Sequence, residues 1–393
     1  MSHKKRILAM TATRSDYDLL SYLYKLLAAD PDIDFRLLVS GTHLSKTYGY
    51  SVKEIEHDMI PILTKIETLF DSDSKAARLK SAALLMENSL HSINDFSPEV
   101  VIFCADREDA IAGALIATYL QIPGVHFFGG DHASDGHIDH SVRHATSKLS
   151  TAHFVSTLEH KERLLKMGEP PSRIFQIGSP AIDKLIAEKH MSKDDLKIAL
   201  GLKGSWPQKY ALLTYHPMSN EEAQSGQHME DIITSLKTEG YAIFCNSPNV
   251  DSGSKEILSI INKYQHTENF YKFQNLPRET FVNLMRNADL MIGNSSAGVV
   301  EAASCKIKVI NVGQRQRGRY SAGNVIFCDN NKTSILQAFE QIKSPAYLQL
   351  IQSLENPYGD GQSSQRAYEI IKTHNFKDIL AKKEDPLSFS VQK

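Results

Sequence analysis

Ala288 to Arg319 reads ADLMIGNSSAGVVEAASCKIKVINVGQRQRGR: a strand, a turn of small residues, a helix start and a second strand in succession. The apolar run Leu290-Met291-Ile292 breaks at Gly293-Asn294-Ser295-Ser296. Serine hydroxyls cap helices, and the backbone N–H groups of such a helix start point beyond the strand, where they favour phosphate. Glu301 follows Ser296 by five residues and is expected inside the early turns of that helix, its two oxygens open to a pair of ribose hydroxyls. The same residues also suit an ordinary capped helix carrying a surface Glu, because short motifs match by chance.

The pattern of short apolar runs between longer amphipathic stretches extends outward in both directions. Before it lie Arg6–Met10, Phe35–Ser40, Val100–Cys104, Gly124–Phe128, His153–Ser156 and Ile174–Ile177. A second series comprises Tyr210–Tyr215, Ala242–Cys245, Phe270–Gln274, Leu290–Ile292, Val309–Val312 and Val325–Cys328. Runs of this length suit buried parallel strands, and their alternation with helical stretches argues for βα units. The expectation is an α/β protein of two doubly wound domains, residues 1–186 and 187–362, joined by the charged segment 187–203. Residues 363–383 read as one or two helices returning to the first domain. Open α/β sheets bind ligands beyond the carboxyl ends of their strands, so two such domains are expected to share one site in the cleft between them.

Composition narrows the function classes. The 393 residues carry 44 Lys and Arg against 46 Asp and Glu, which leaves no electrostatic footprint for nucleic acid or an anionic membrane. An anionic small ligand must therefore be held by a few placed cations. Cys104, Cys245, Cys305 and Cys328 form no CxxC pair, so neither a disulfide framework nor a thiolate zinc site is indicated. The start MSHKKRILAM is basic, but its apolar run is too short for a signal peptide, and no segment approaches a membrane span. A soluble, cytoplasmic protein is expected.

Polar residues fall just after the strands: Arg14-Ser15-Asp16-Tyr17, Gly41-Thr42-His43-Leu44, Ala105-Asp106-Arg107, Gly129-Gly130-Asp131 and Thr214-Tyr215-His216-Pro217. Each alone also reads as a loop residue or a helix cap. Together with IDHSVRHATSKL (138–149), SPNVDSGS (247–254), GNSSAGVVE (293–301), GQRQRGR (313–319) and NPYGDG (356–361), they resemble the hydrolysing UDP-N-acetylglucosamine 2-epimerases that open sialic and legionaminic acid synthesis. The resemblance spans nearly the whole chain.

It implies a GT-B-like fold of two Rossmann-like domains, with the nucleotide held mainly by the second. It also implies elimination of UDP from an N-acetylglucosamine-type sugar, then hydration of the glycal to a free N-acetylmannosamine-type sugar. By the same resemblance Ser295, Ser296 and Glu301 bind diphosphate and ribose. Arg315 and Arg14 neutralise phosphate, and His216 lies near the leaving diphosphate. Arg143 and His43 belong to the first-domain wall, and Asp106 and Asp139 match the catalytic aspartates. No cofactor and no metal are implied, and a homodimer or homotetramer is expected.

One departure stands out. Where related enzymes commonly place a catalytic Glu two residues before the Gly-Gly pair, or in some members a His two residues after the preceding His, this chain reads His126-Phe127-Phe128-Gly129-Gly130. Phe128 cannot transfer a proton; Asp131, His132, Asp135 or His137 are the candidates to supply the missing acid or base. Phe127 and Phe128 would also suit a more apolar sugar, although strand alternation must bury at least one of them. The stretch Asp131 to His140 is rich in His and Asp, but within it no HxxxH or HExxH spacing occurs, which favours a polar loop over a metal site. The alternative readings are a GT-B-type glycosyltransferase and a non-catalytic nucleotide-sugar-binding homologue.

Overall fold

The computed structural model describes residues 3–70, 75–134, 136–218, 221–248, 253–274 and 276–386. Among them, thirteen parallel strands form two sheets. The first holds β1 (Lys5–Thr11), β2 (Ile33–Ser40), β3 (Ile62–Ile66), β4 (Val100–Cys104), β5 (Gly124–Phe127), β6 (Ala152–Val155) and β7 (Ile174–Gln176). The second holds β8 (Tyr210–Thr214), β9 (Ala242–Asn246), β10 (Phe270–Phe273), β11 (Leu290–Gly293), β12 (Lys308–Val312) and β13 (Val325–Cys328). The strand orders are β3-β2-β1-β4-β5-β6-β7 and β10-β9-β8-β11-β12-β13, each running outward in both directions from one pair. The order therefore reverses between β1 and β4 and between β8 and β11, which is where such sheets open a crevice.

Period-two geometry explains why these strands read as unbroken apolar runs. Ile7 and Ala9 of β1 join Val100, Ile102 and Cys104 of β4 in one core, while Leu8, Met10, Val101 and Phe103 face the core on the opposite side. In the second sheet Ala211, Leu213, Ile243, Cys245, Leu290 and Ile292 share one core. Trp206 stacks on Phe244 of β9 at 5.7 Å between ring centroids, a packing contact. β3 is absent from the expected series. It is an edge strand, ILTKI, whose residues are mostly half-buried, so it carries neither a continuous apolar run nor clean alternation.

The chain divides into two compact units: Met1–His132, Gly136–Lys184 and Tyr358–Lys393 in the first, and Ala133–Asp135 with Leu185–Pro357 in the second. The segment expected as a linker contains a helix, Lys193–Ala199, started by a Ser192–Asp195 capping box. The return to the first unit begins at Tyr358, whose carbonyl accepts from the Ser179 N–H at 2.6 Å. Asp183, buried, accepts from the N–H groups of Ser363 and Ser364 at the start of the helix Ser363–Thr373. Lys5 Nζ donates to the carbonyls of Ile371 and His374 at 2.6 and 2.9 Å. Buried Arg173 donates to the Ala381 carbonyl at 3.0 Å and pairs with Glu384 at 3.1 Å. No helix among the described residues is long and apolar enough to cross a membrane.

Candidate active site

In the first unit the chain leaves β4 and β5 through two non-glycine residues in the left-handed region, Ala105 (φ 67°) and Phe128 (φ 63°). A bulky residue there costs energy that its surroundings must supply. They do: the Ala105 N–H donates to Phe127 O at 3.1 Å and the Phe128 N–H to Phe154 O at 3.0 Å. His126 Nε2 donates to the Ala105 carbonyl at 2.8 Å. Burial pulls the His126 imidazole down to about 3, so it stays neutral and structural. Gly130 follows at φ 78°, where a Cβ would lie 2.2 Å from the His160 carbonyl, so the backbone approach itself excludes any other residue.

These bends bring Asp106 and Asp131 to one arginine. Arg143, buried on the helix Ile138–Leu149, donates to the Asp106 carboxylate and, at 2.9 Å, to the Phe128 carbonyl; Asp131 lies 3.9 Å away. Asp131 is itself buried and lies 3.4 Å from His160 Nε2. One turn before Arg143 on the same helix, Asp139 meets Arg78 at 3.2 Å and His137 at 3.2 Å; Arg78 also holds Glu108 at 2.7 Å. Asp106, Asp131 and Asp139 are therefore each charge-compensated, and Arg143 is the organiser that joins the first two to the end of β5.

His43 differs from the expectation. It is fully buried, with Nε2 at 3.0 Å from Thr11 Oγ1 and Nδ1 at 2.8 Å from Ser51 Oγ. With both ring nitrogens engaged, its side chain is held inside the first unit. Asp16, part of the polar stretch after β1 but given no role there, accepts from Thr11 Oγ1 at 2.7 Å and from the backbone N–H groups of Ala12 and Thr13 at 3.0 and 3.1 Å. Asp109 was also missed. Burial first, and the negative charge of Asp16 second, push its carboxyl well above the usual range. Arg14 opens the helix Arg14–Ala29 and pairs with Glu54 at 3.1 Å on the exposed surface.

His132 lies 4.7 Å from His140 and 5.6 Å from His144, ring centroid to centroid. His140 and His144 are four apart on one helix face, a spacing that begins at the last residue of the segment read for metal motifs. Burial and then His132 pull His144 down to about 4. Among the described residues no group of three His, Cys, Asp or Glu side chains is arranged to hold a metal ion. Asp135 lies outside the described residues, as do Asn249 to Ser252 of SPNVDSGS.

In the second unit the strand ends carry donors. Gly293 closes β11 at φ 124°, where a Cβ would lie 2.0 Å from the Thr214 carbonyl at the end of β8. That close approach lets Asn294, fully buried, clamp His216: its Oδ1 accepts from the His216 N–H and its Nδ2 donates to the His216 carbonyl, both at 2.8 Å. The Asn294 carbonyl in turn accepts from Arg315 at 2.9 Å and Gln316 at 3.3 Å, so GQRQRGR braces GNSS. Ser295 caps the helix that follows by accepting from the Ala297 N–H at 3.3 Å, and Ser296 opens it. The helix ends at Val300, so Glu301 sits at its C-cap and not in its early turns. The Glu301 carboxylate is buried and accepts from Arg278, a residue no sequence motif singled out.

Residues 25–372 match the UDP-N-acetylglucosamine 2-epimerase family. The chain is 34% identical over 369 residues to a hydrolysing UDP-N,N'-diacetylbacillosamine 2-epimerase of Legionella pneumophila, covering 94% of this chain and 96% of that one. It is 30% identical over 380 residues to a UDP-N-acetylglucosamine 2-epimerase of Neisseria meningitidis, covering 96% and 98%. Among solved structures, a Neisseria meningitidis UDP-GlcNAc 2-epimerase bound to UDP-GlcNAc superposes with a TM-score of 0.80 at 18% identity, over 94% of this chain and all of that one, a likeness of fold in the GT-B-like class. With its twin Rossmann-like sheets and a family match over most of its length, the chain belongs to the UDP-N-acetylglucosamine 2-epimerase family.

Proposed function

We propose that this protein is a hydrolysing 2-epimerase acting on a UDP-linked 2-acetamido sugar, either UDP-GlcNAc or a UDP-2,4-diacetamido-6-deoxy sugar. The observation that carries the reading is the Asp106–Arg143 pair anchored to the end of β5, which sets a carboxylate where the order of the first sheet opens its crevice. In the first half-reaction the C1–O bond breaks with its electron pair leaving on UDP, while a carboxylate takes the C2 proton to give the C1=C2 glycal. In the second, water adds its oxygen at C1 and a proton returns to C2 from the opposite face. The first step needs a base at the sugar and charge compensation at the diphosphate.

Asp106 and Asp139 are assigned the proton transfers, with Asp131 as the third carboxylate and Arg143 as the cation that orients two of the three. Ser295, Ser296, Arg315 and Arg14 are assigned to the diphosphate, Glu301 to the ribose and His216 to the departing phosphate. Because Phe128 is half-buried and apolar, proton transfer falls to these aspartates, and a sugar carrying a methyl in place of a hydroxyl is the better fit at that strand end. The Legionella pneumophila relative, named for UDP-N,N'-diacetylbacillosamine, supports the same preference. We assign the reaction to the cytoplasm, to supply a sialic or legionaminic acid-type surface glycan, with a homodimer or homotetramer as the working form.

The test uses each purified UDP-sugar with no acceptor, in heavy water. Free sugar with inverted C2 configuration and deuterium at C2 is the expected result. Release of sugar that keeps its original C2 hydrogen would indicate simple hydrolysis. Turnover only with an added sugar acceptor, or UDP binding with no release from either substrate, would also overturn the reading.

A further inference from the structure

The ion pair between Arg278 and Glu301 joins the last residue of the GNSSAGVVE motif to a residue that no motif contains. Glu301 ends a helix that stops after five residues, and its side chain keeps only 10% of its surface exposed. A carboxylate in that position needs a cation. Arg278, the first residue of the helix Arg278–Arg286, supplies it by donating from Nη2 to Oε1. Among the described residues no donor reaches Oε2. An ionised carboxylate offers about four lone-pair sites on two oxygens, so one guanidinium contact orients the group and leaves capacity for two hydroxyl donors. A planar guanidinium fixes that orientation in a way a flexible ammonium does not.

We propose that Arg278 is a positioning residue for nucleoside recognition: by holding Oε1 it aims the remaining lone pairs of Glu301 at the 2′ and 3′ hydroxyls of the ribose. This rests on the assignment of Glu301 to the ribose made above. Arg278 thereby sets how strongly the site tells a ribonucleotide from its deoxy counterpart, a property distinct from how tightly the site holds phosphate.

Calorimetric titration of the full-length protein with UDP, 2′-deoxy-UDP and 3′-deoxy-UDP reads this out. The wild-type protein should prefer UDP by about ten- to a hundredfold, the size expected for losing a hydrogen bond to a charged group. Arg278→Gln should collapse that preference toward unity, while the affinity for the deoxy nucleotides changes little. Arg278→Lys should restore part of it, and also serves if the Gln variant does not fold. Retention of the full preference in folded Arg278→Gln or Arg278→Lys protein would overturn the proposal. Glu301→Gln separates the two levels of argument. If it leaves the preference intact, the ribose assignment itself fails. If it abolishes the preference while the Arg278 variants do not, the role of Arg278 alone is refuted.

Discussion

The two sheets share one strand order around their central pairs, yet the residues at their carboxyl ends belong to different chemistries. In the first unit they are titratable groups in compensated sets: Asp106 and Asp131 with Arg143, Asp139 with Arg78, Asp16 on backbone N–H groups, and a raised Asp109 carboxyl. In the second they are fixed donors and cations built around one turn, with Asn294 clamping His216 and Arg315 bracing Asn294. Topology decides where a site forms and the side chains decide what it does. A set of carboxylates suits moving protons, whereas a rigid set of donors suits holding a leaving anion.

That division can be broken from either side. The largest effect is expected for Asp106→Asn, which should lower turnover by about 10²- to 10⁴-fold through loss of the proton-transfer role proposed for that carboxylate. UDP affinity, measured by titration, should hardly move; a parallel loss of both would show that the two units do not divide the work as described. Next in size is His216→Ala. In the role proposed for it, beside the departing phosphate, it acts mainly in the transition state, so kcat should fall by about ten- to a hundredfold with a smaller change in UDP affinity. Wild-type kcat in that variant would reduce the histidine to a structural part of the Asn294 clamp.

The smallest effect is on stability and sharpens the comparison from the acid side. Burial first pulls His126 of the first unit down to about 3, and His144 down to about 4. In the unfolded chain both imidazoles take up protons near pH 6.5, the ordinary value, so below that pH the unfolded state binds more protons. Stability from these groups is complete above pH 6.5 and lost as the pH falls toward 4 and then 3. Thermal melts across that window should show acid loss that shrinks by a few degrees in His126→Asn. An unchanged pH slope in the variant would remove His126 from the account.

The strands were legible because buried parallel strands must be apolar on both faces, and that leaves a readable run of three to six residues. β3 was not, because an edge position allows Thr64 and Lys65 into its middle. The strand-end motifs were legible for the same reason: polar residues directly after an apolar run have nowhere else to go. What the side chains do there was less readable. His43 follows β2 as the pattern requires, but one turn of backbone decides whether its ring faces outward or inward, and here it bonds to Thr11 and Ser51. Glu301 was assigned a turn that its helix is too short to contain. Partners such as Arg78 for Asp139 and Arg278 for Glu301 come from distant segments, so only the assembled topology brings them together.

The return of the chain at Tyr358 bears on the order in which the molecule is made. The second unit is built almost entirely from the continuous stretch Leu185–Pro357, whereas the first waits for residues beyond it. Lys5, on the first strand, bonds to Ile371 across 366 positions of sequence. Closing so long a loop is slow, since its entropy is lost before the contacts it brings are formed. During synthesis the inserted unit is therefore able to fold while the unit that encloses it in sequence is still incomplete. The helix Ser363–Thr373, synthesised after that inserted unit, then bonds back to the strand Lys5–Thr11.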